Sequence, residues 1–315
     1  MKKFLLKMIT VCTVTAIAVT TALFFAGCSE SSDNPKNSSN IEMVRIPGGS
    51  FQMGDTKNEG HSYEKPVHKV TLTGFYMGKY PVTEAQYQAV MGSNPSSYDD
   101  GLDREPATGE VQANRPVERV SWYNAIVFCN KLSMAENLSP AYSISGSTNP
   151  ADWGSVPTSN NSTWDAVTIV SGSKGYRLPT EAQWEYAAKG GNGSPGNYSY
   201  SGSNTVGEVA WFNENSEKTN NEDGNRDLVM HEVGKKLPNG LGLYDMSGNV
   251  WEWCWDWYGE YPSEAQTNPT GVASGSTRVI RGGAFFELAV YARSVSRSYG
   301  PNPWNNIIGF RLVRP

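Results

Sequence analysis

Cysteine and histidine spacing often reveals catalysis or metal binding, and in this sequence it indicates neither. His61, His68 and His231 are scattered, and no HxxxH or CxxC motif occurs. Spacing of that kind is typical of structural zinc sites. Cys129 and Cys254 lie in apolar or aromatic surroundings, AIVFCNKL and VWEWCWDW. We predict two separate buried thiols, with a disulfide as the alternative, since an oxidising compartment would allow one.

The C-terminal segment from Arg278 to Pro315 has the composition of a contact surface. Two framework-like runs, RVIRGG and GFRLVRP, enclose residues dominated by aromatics, Ser, Asn, Gly and Pro. Aromatic side chains supply contact area at small entropic cost, and Ser, Gly and Asn adapt their hydrogen bonds. The segment has no Cys or His and a single acidic side chain, Glu287. We therefore predict binding rather than catalysis in this segment.

The bulk composition describes a globular protein with much irregular structure. Hydrophobic residues make up 38% of the 315 residues and charged residues 18%, as in folded domains. Ten Trp contribute large buried areas, while 32 Gly and 18 Pro predict many turns and loops. The net charge of −5 provides no basic patch, so we predict no nucleic-acid partner.

The N-terminus has the pattern of a bacterial lipoprotein signal. Three lysines precede the uncharged apolar run from Met8 to Ala26, and small residues then lead to Cys28. We predict that residues 1–27 are removed, that Cys28 is lipidated, and that the Ser/Asn-rich residues 28–40 form a flexible tether. Two or more acyl chains give stable anchoring, so we expect an exported protein at the outer membrane or cell surface. The alternative is an uncleaved transmembrane helix.

Three helices and several strands are predicted to position these residues. TEAQ begins at Thr83 and again at Thr180, and Thr-x-x-Gln is the pattern of a capping box at a helix start. A third helix is predicted from about Ser121 to Asn137 by its repeat of apolar residues. The run MVRIPGGSFQMG predicts a hairpin that turns at PGG, and after Gly190 we predict no long helix.

The run WEWCWDWY predicts a strand, because tryptophan alternates with other residues. Trp251, Trp253, Trp255 and Trp257 would share one face of that strand. Flat rings on one face can stack on sugars. We favour a place in the hydrophobic core, with sugar binding as the alternative.

A series of motifs along the chain resembles one known family. In order, they are MVRIPGGSFQMG, PVTEAQYQAVMG, NRPVERVSWYNAIVFCNKLS, GYRLPTEAQWEYAAKGG, GLGLYDMSGNVWEWCWDWY, RVIRGG and GFRLVRP. The series is similar to the formylglycine-generating-enzyme and sulfatase-modifying-factor family and covers Met43 to Pro315. The resemblance implies an α+β domain over residues 41–315, with the C-type lectin-like fold of the formylglycine-generating-enzyme subtype and little regular secondary structure.

The enzymes of this family are oxidases that convert a sulfatase Cys to formylglycine with a Cys pair of their own. The resemblance places that pair just after RVIRGG, where this chain has AFFELAVYARS, from Ala284 to Ser294. A copper-dependent thiol oxidase needs thiolate ligands, so we predict no such activity. The alternatives are a sulfatase-modifying enzyme or accessory factor of the cell envelope, and an envelope scaffold protein.

Another branch of the family resembles this chain more closely. In variable proteins of diversity-generating retroelements, a C-terminal segment ending in a run like GFRLVRP is varied on a constant lectin-type frame. The resemblance implies a variable region at about 284–308 that binds an unknown protein or glycan, with Ala289, Arg293, Ser294 and Arg297 in the frame. For any exposed position, a core role is the alternative. The predicted exposed positions are Phe286, Leu288, Val290, Tyr291, Ser296, Ser298, Tyr299, Gly300, Asn302, Trp304, Asn305 and Asn306.

The resemblance also implies a calcium site in the loop DMSGNVWE. Asp245 and Glu252 would be side-chain ligands, and Gly248 and Val250 would contribute backbone carbonyls. Calcium prefers hard oxygen ligands in a flexible loop, and the ion would have a structural role. No cofactor is otherwise expected. The alternative is that both acids accept hydrogen bonds from backbone donors in a tight turn.

Overall fold

Strands and helices are short, and long loops join them, as the Gly and Pro content predicts. The structure is a computed structural model that describes residues 40–97, 105–193, 197–217, 228–301 and 307–315, all within a unit that spans Asn37–Pro315. The strands are β1 (Met43–Ile46), β2 (Gly49–Met53), β3 (His68–Leu72), β4 (Phe75–Gly78), β5 (Tyr142–Ser143), β6 (Thr168–Ile169), β7 (Ala210–Trp211), β8 (Ser247–Gly248), β9 (Trp251–Trp257), β10 (Gln266–Thr267), β11 (Arg278–Arg281), β12 (Arg297–Gly300), β13 (Ile308–Gly309) and β14 (Val313–Arg314). The helices are α1 (Glu84–Met91), α2 (Trp122–Ala135), α3 (Ser162–Asp165), α4 (Glu181–Ala188) and α5 (Val206–Val209).

The first four strands form one bent hairpin. β1 pairs with β4 and β2 pairs with β3, both antiparallel, so the predicted hairpin turn at PGG is wrong. Gly48 and Gly74 pass each other at the bend, where a Cβ on Gly48 would lie 2.8 Å from the Gly74 nitrogen. PGG therefore bends the strand pair, and the chain reverses in the loop between β2 and β3. β10 extends this hairpin along β3, and β14 extends it along β4.

A four-stranded sheet, in the order β12-β11-β9-β13, carries the C-terminal segment. Its strand β9 is the tryptophan-rich run, which confirms the predicted strand. Trp251 and Trp253 are buried in a hydrophobic core, and the Trp253 indole donates to the Val120 carbonyl at 2.7 Å. The predicted core role is therefore confirmed for these two tryptophans.

The three predicted helices begin where their caps predict. Thr83 and Thr180 each form a complete capping box with the Gln three residues later. α2 begins after Ser121, whose hydroxyl accepts from the Asn124 N–H at 3.0 Å. After Gly190, each helix of the described residues has only three or four residues, and α5 has four. All eight residues of α4 are buried, which makes this helix a support for the surface above it.

The two cysteines of the described residues are separate and buried. Cys129 belongs to the core around α2, and Cys254 to a second core that includes α4. The prediction of separate thiols is therefore confirmed. Burial raises the pKa of both thiols, so their reactive thiolate forms are suppressed.

The predicted membrane attachment falls on residues that the structure does not describe. The signal at 1–27, Cys28 and nearly all of the tether at 28–40 lie outside the described ranges. Within those ranges, no helix combines the length and the apolar character that crossing a bilayer requires.

Candidate functional site

A buried ion pair fixes the middle of the C-terminal segment. Arg293 donates from Nη2 to Oε1 of Glu64 at 2.7 Å and from Nη1 to Oε2 at 3.1 Å. Arg293 is 5% exposed and Glu64 is 0% exposed. Two parallel charge-assisted hydrogen bonds of this kind are strong and geometrically specific. They hold the segment against the loop between β2 and β3.

A second set of ion pairs holds the segment on α4. Arg297 donates to both oxygens of Glu181, at 2.7 and 2.8 Å. Arg281 donates to Glu185 at 2.7 Å and to the Ser294 carbonyl at 2.8 Å. Burial alone would raise the pKa of Glu185, but the positive charges of a neighbouring lysine and of Arg281 lower it below its ordinary value. Glu185 is therefore charged at neutral pH and binds its arginine firmly.

The residues predicted to be exposed fall into several groups. Leu288, Tyr299 and Phe286 are exposed, at 57%, 52% and 36%. Val290, Tyr291 and Ser298 are half-buried. Asn302, Trp304, Asn305 and Asn306 lie outside the described residues. The described part of the segment thus presents large apolar and aromatic side chains at its surface.

Ser296 and Gly300 are buried, so the prediction that these two residues are exposed is wrong. The Ser296 N–H donates to the Arg293 carbonyl at 3.0 Å, in a turn that lies between the two anchored residues Arg293 and Arg297. Gly300 pairs with Arg278 inside the sheet and has no side chain to present. Both anchoring arginines are buried, as predicted for the frame.

Five aromatic side chains form a strip beside and within the segment. Tyr299 packs on Tyr258, with ring centroids 4.7 Å apart. His61 stacks with Tyr63 at 4.9 Å and with Tyr291 at 6.2 Å. We call these five residues the aromatic strip. Two of them come from the predicted variable region and three from outside it.

Arg297 connects the two halves of the aromatic strip from below. Its guanidinium lies 4.5 Å from the ring centroid of Tyr258, and its Nη1 donates to the Tyr63 carbonyl at 3.2 Å. Burial, followed by the neighbouring Glu64, Tyr291 and Tyr258, raises the pKa of Tyr63. The buried Arg297 therefore contacts both halves of the strip and fixes them relative to each other.

Sequence reasoning missed the three members of the aromatic strip that lie outside the C-terminal segment. His61 and Tyr63 belong to the loop sequence HSYE, and Tyr258 follows β9 in WYGEY. Aromatic residues among polar ones in a loop are a weak signal for an exposed contact surface. Their position relative to Tyr291 and Tyr299 depends on the tertiary fold and could not be predicted.

Phe286 and Leu288 are held differently, through their backbone. The Asn213 N–H donates to the Glu287 carbonyl at 2.9 Å, and the Asn213 side-chain amide donates to the Phe286 carbonyl at 3.1 Å. The Glu287 N–H in turn donates to the Ala284 carbonyl at 2.9 Å. These hydrogen bonds involve main-chain atoms of the segment, so they fix its path whatever side chains it carries.

The described residues do not bring together a catalytic or metal-binding cluster. Both cysteines of the described residues are buried, whereas a thiol oxidase requires reactive thiols that its substrate can reach. Within the described ranges, no group of three or more His, Cys, Asp or Glu side chains is arranged to hold a metal ion.

Glu252, predicted as a calcium ligand, already has a cationic partner. Arg311 donates to both of its oxygens, each at 2.7 Å, and the Trp184 indole donates to one of them at 2.8 Å. The guanidinium neutralises this carboxylate. The role of Glu252 as a calcium ligand stays a prediction.

Asp245, the other acid predicted to bind calcium, has neutral hydrogen-bond donors. It accepts from the Gly234 N–H at 2.7 Å and from the Asn249 amide at 3.4 Å, and burial raises its pKa to about 6. The Gly248 N–H donates to the Gly282 carbonyl at 2.8 Å, so this part of the loop is already tied to the sheet. Calcium binding at this loop, by Asp245 and Glu252 with the carbonyls of Gly248 and Val250, stays a prediction.

Comparison with known proteins identifies relatives over most of the chain. A family model described as the sulfatase-modifying factor enzyme 1-like domain matches residues 28–315. The chain is 43% identical over 302 residues to the chaperone protein LppX of Paenibacillus barcinonensis, covering 92% of this chain and 95% of that protein. It is 33% identical over 285 residues to the formylglycine-generating enzyme of Streptomyces coelicolor, covering 86% of this chain and 88% of the enzyme.

A solved structure gives a similar result. Treponema denticola variable protein 1 superposes with a TM-score of 0.75 at 39% identity, covering 87% of this chain and 95% of that one. The predicted resemblance to the family and to its variable proteins is confirmed, and so is the predicted α+β, C-type lectin-like fold. The chain belongs to the family of sulfatase-modifying factor enzyme 1-like domains.

Proposed function

We propose that this protein is a non-enzymatic ligand-binding protein whose contact surface is the aromatic strip together with Phe286 and Leu288. The observation that carries the proposal is the strip itself. Rings from three separate parts of the chain meet at one surface, above arginines that are buried. Aromatic side chains bury large areas and lose few rotatable bonds on binding, so they serve as anchors.

The support beneath the surface allows its side chains to change. Arg293 and Arg297 belong to the frame, and their partners Glu64 and Glu181 lie on other elements. Asn213 binds main-chain carbonyls. Substitution of the exposed residues therefore leaves every one of these contacts in place. This arrangement supports the proposal that residues at about 284–308 form a variable region.

A non-catalytic role is supported by the relatives as well as by the site. The chain is similar to a variable protein and to a protein named as a chaperone, and it lacks the Cys pair expected after RVIRGG. The ligand we propose is a protein or glycan. Flat rings with hydroxyl groups at their edges can pack on either, and the half-buried Ser298 adds a hydrogen-bonding group.

We propose that a lipid on Cys28 holds the binding domain at the cell surface. The apolar run before Cys28 and the polar residues after it support this location. Residues 28–40 would lift the aromatic strip away from the membrane. Metabolic labelling with a palmitate analogue tests the anchor. We expect label on the wild-type chain and none on Cys28→Ser, and label on both would contradict a lipid at Cys28.

Mutation of each half of the aromatic strip tests the binding surface. Glycan and protein arrays probed with the chain from residue 28 identify a ligand, and its Kd is then measured. We expect Tyr291→Ser/Tyr299→Ser and Tyr63→Ser/Tyr258→Ser each to weaken binding at least tenfold, because each removes two aromatic anchors. Leu237→Ser is the control, since Leu237 is 61% exposed and lies outside the strip. A ligand whose Kd neither double variant changes would contradict the proposal.

The variable-region part of the proposal has a test in the genome. We expect a near-copy of the coding sequence for Arg278–Pro315 next to a reverse transcriptase gene. We also expect that the chain's own coding sequence differs from that copy mainly at exposed positions. An identical C-terminal sequence in all close copies of the protein would favour the envelope-scaffold alternative.

The enzymatic alternative rests on the identity to the formylglycine-generating enzyme of Streptomyces coelicolor. Incubation with a sulfatase peptide that contains the target Cys, with copper and oxygen present, distinguishes the two functions. We expect no aldehyde in the peptide, because residues 284–301 contain no thiol. Aldehyde formation by the purified chain would overturn the non-enzymatic proposal.

A further inference from the structure

A pocket of about 210 Å³ lies between α4, the β2–β3 pair and the loop that follows β9. It is separate from the exposed part of the C-terminal segment, of which it touches only the anchoring residue Arg297. Its wall combines polar and charged residues, among them His68, with apolar and aromatic ones that include Met53, Trp257, Tyr261 and Val272. A water occupies about 30 Å³ in the liquid, so the pocket has room for a small organic molecule.

Asp256 contributes a buried carboxylate to this pocket, and one of its two oxygens accepts no hydrogen bond from the described residues. The residue is 4% exposed, and its Oδ2 accepts from the Glu181 N–H at 2.8 Å. Among the described residues, no hydrogen bond or ion pair reaches its other oxygen, Oδ1. The backbone of Gly271 closes one side, because a Cβ there would lie 3.0 Å from Oδ1. The unpartnered oxygen therefore lies in the wall of the pocket.

The neighbouring acid, Glu181, shows what Asp256 lacks. Glu181 accepts from Arg281 at 3.0 Å, from Arg297 at 2.7 Å and from the Tyr261 hydroxyl at 3.0 Å. Its charge is thus matched inside the protein. Asp256 receives a single neutral N–H, and burial, followed by the charge of Glu181, raises its pKa to about 7. A cation is the missing partner of this carboxylate.

The other charged residues around the pocket also favour a positively charged ligand. Glu260 lies exposed at its edge and adds negative charge at the entrance. Arg297 is the arginine of the lining, which also includes His68, and Nε and Nη2 of Arg297 both donate to Glu181. An anionic ligand would therefore meet unmatched negative charge. A cationic ligand would complete the pairing of Asp256.

We infer that this pocket is a binding site for a small organic ammonium ion, whose charged group pairs with Oδ1 of Asp256 and whose apolar body packs against Trp257, Tyr261 and Val272. The site does not depend on the aromatic strip, and its ligand is not the ligand of the variable region. A primary amine on a compact ring has the size and polarity that the pocket requires.

Three probes of similar shape and different charge test whether the pocket prefers a cation. Cyclohexylamine, cyclohexanol and cyclohexanecarboxylate are titrated into the ¹⁵N-labelled chain from residue 28, and the indole N–H resonance of Trp257 is followed by NMR. We expect cyclohexylamine to bind at least tenfold more tightly than either of the other probes. Equal binding of the amine and the alcohol would overturn the inference, and so would the absence of a shift at Trp257.

Variants identify the residue responsible. Asp256→Asn keeps an oxygen that accepts from the Glu181 N–H, and it should weaken cyclohexylamine binding at least tenfold. Val272→Trp should block the pocket, and it tolerates a large side chain because Val272 is 40% exposed. Glu260→Gln is the matched control for loss of a negative charge and should change the Kd less than threefold. Unchanged binding to Asp256→Asn or to Val272→Trp would overturn the site.

A variant of the strip separates this inference from the proposed function. Tyr291→Ser/Tyr299→Ser should bind cyclohexylamine with the Kd of the wild-type chain, although it loses the array ligand. A parallel loss of cyclohexylamine binding in this variant would show that the amine binds at the strip and would overturn the pocket site.

Discussion

The two exposed parts of the C-terminal segment are supported by different physical means. The part with Phe286 and Leu288 is held by hydrogen bonds from Asn213 to main-chain carbonyls. The part with Tyr291 and Tyr299 is held by buried ion pairs that its arginines make with distant carboxylates. One support is neutral and local to the backbone, whereas the other depends on charged side chains at fixed positions.

This difference shows how one surface can be both stable and changeable. A hydrogen bond to a carbonyl does not depend on the side chain of the residue that carries it. A buried ion pair depends entirely on its two residues, but it leaves the exposed positions beside it free. In the first part, main-chain atoms provide stability and side-chain atoms make the contact. In the second part, buried arginines provide stability and neighbouring residues make the contact.

Loss of a buried arginine should have the largest effect. Arg293→Met leaves the Glu64 carboxylate buried beside an apolar side chain, and removal of one partner of a buried pair costs about 3–5 kcal/mol. Urea denaturation measures this loss in the free energy of unfolding. Arg293→Met/Glu64→Gln should recover most of it, because no buried charge remains. A double variant as unstable as the single one would show that packing of Arg293, and not charge, supports this part.

The pH dependence of the free energy of unfolding tests whether Asp256, unlike the paired carboxylates, lacks a charged partner. Burial raises the pKa of Asp256 from 3.8 to about 7. Because the folded pKa exceeds the unfolded one, the stability linked to Asp256 is fully present below about pH 4 and is lost as the pH rises through about 7. Relative to Asp256→Asn, the wild-type free energy of unfolding should fall by up to about 4 kcal/mol between pH 4 and pH 8. A difference that does not vary with pH would contradict the unpaired state of Asp256.

Removal of the half-buried ring of Tyr291 and the exposed ring of Tyr299 should change stability less. Tyr291→Ser/Tyr299→Ser leaves the arginine pairs intact, and surface changes of this kind usually cost no more than about 1–2 kcal/mol. Thermal unfolding of the double variant measures the cost. Loss of the folded state would show that these tyrosines belong to the core, which was the alternative drawn from the sequence.

Removal of the side-chain amide that holds the first part should cost about 1 kcal/mol, the usual net value of a neutral hydrogen bond. Asn213→Ala tests this in the wild-type chain and again in the Phe286→Ser background. The cost should be the same in both, because the amide binds the carbonyl of residue 286 and not its side chain. A coupling energy above about 0.5 kcal/mol between the two substitutions would show that the support depends on the side chain at position 286, which contradicts this prediction.

Chelation of calcium should have the smallest effect. EDTA is expected to lower the melting temperature only slightly, because Arg311 pairs with Glu252 and Asp245 has its own hydrogen-bond donors even without the ion. Asp245→Asn is a useful companion variant. A clear fall of the melting temperature in EDTA, restored by added calcium and absent in Asp245→Asn, would establish the calcium site predicted from the resemblance.

Sequence alone determined the parts of the fold that depend on near neighbours. The capping boxes at Thr83 and Thr180 and the tryptophan-rich strand are set by residues a few positions apart, so local pattern predicted them. The two cysteines were predicted as buried thiols from their apolar surroundings. The family followed from a series of motifs in fixed order, and with it came the region of the contact surface.

Only the tertiary structure decided what supports that surface and what extends it. Arg293 and Glu64 are 229 positions apart in sequence, and no local pattern predicts which of many arginines meets which carboxylate. The same holds for the rings of Tyr63 and Tyr258, for the burial of Ser296, and for the bend at PGG. Each of these depends on how separate segments pack together. Sequence therefore indicated the region of the proposed contact surface, while its anchors, its additional aromatic residues and the carboxylate pocket beside it depend on contacts that form only on folding.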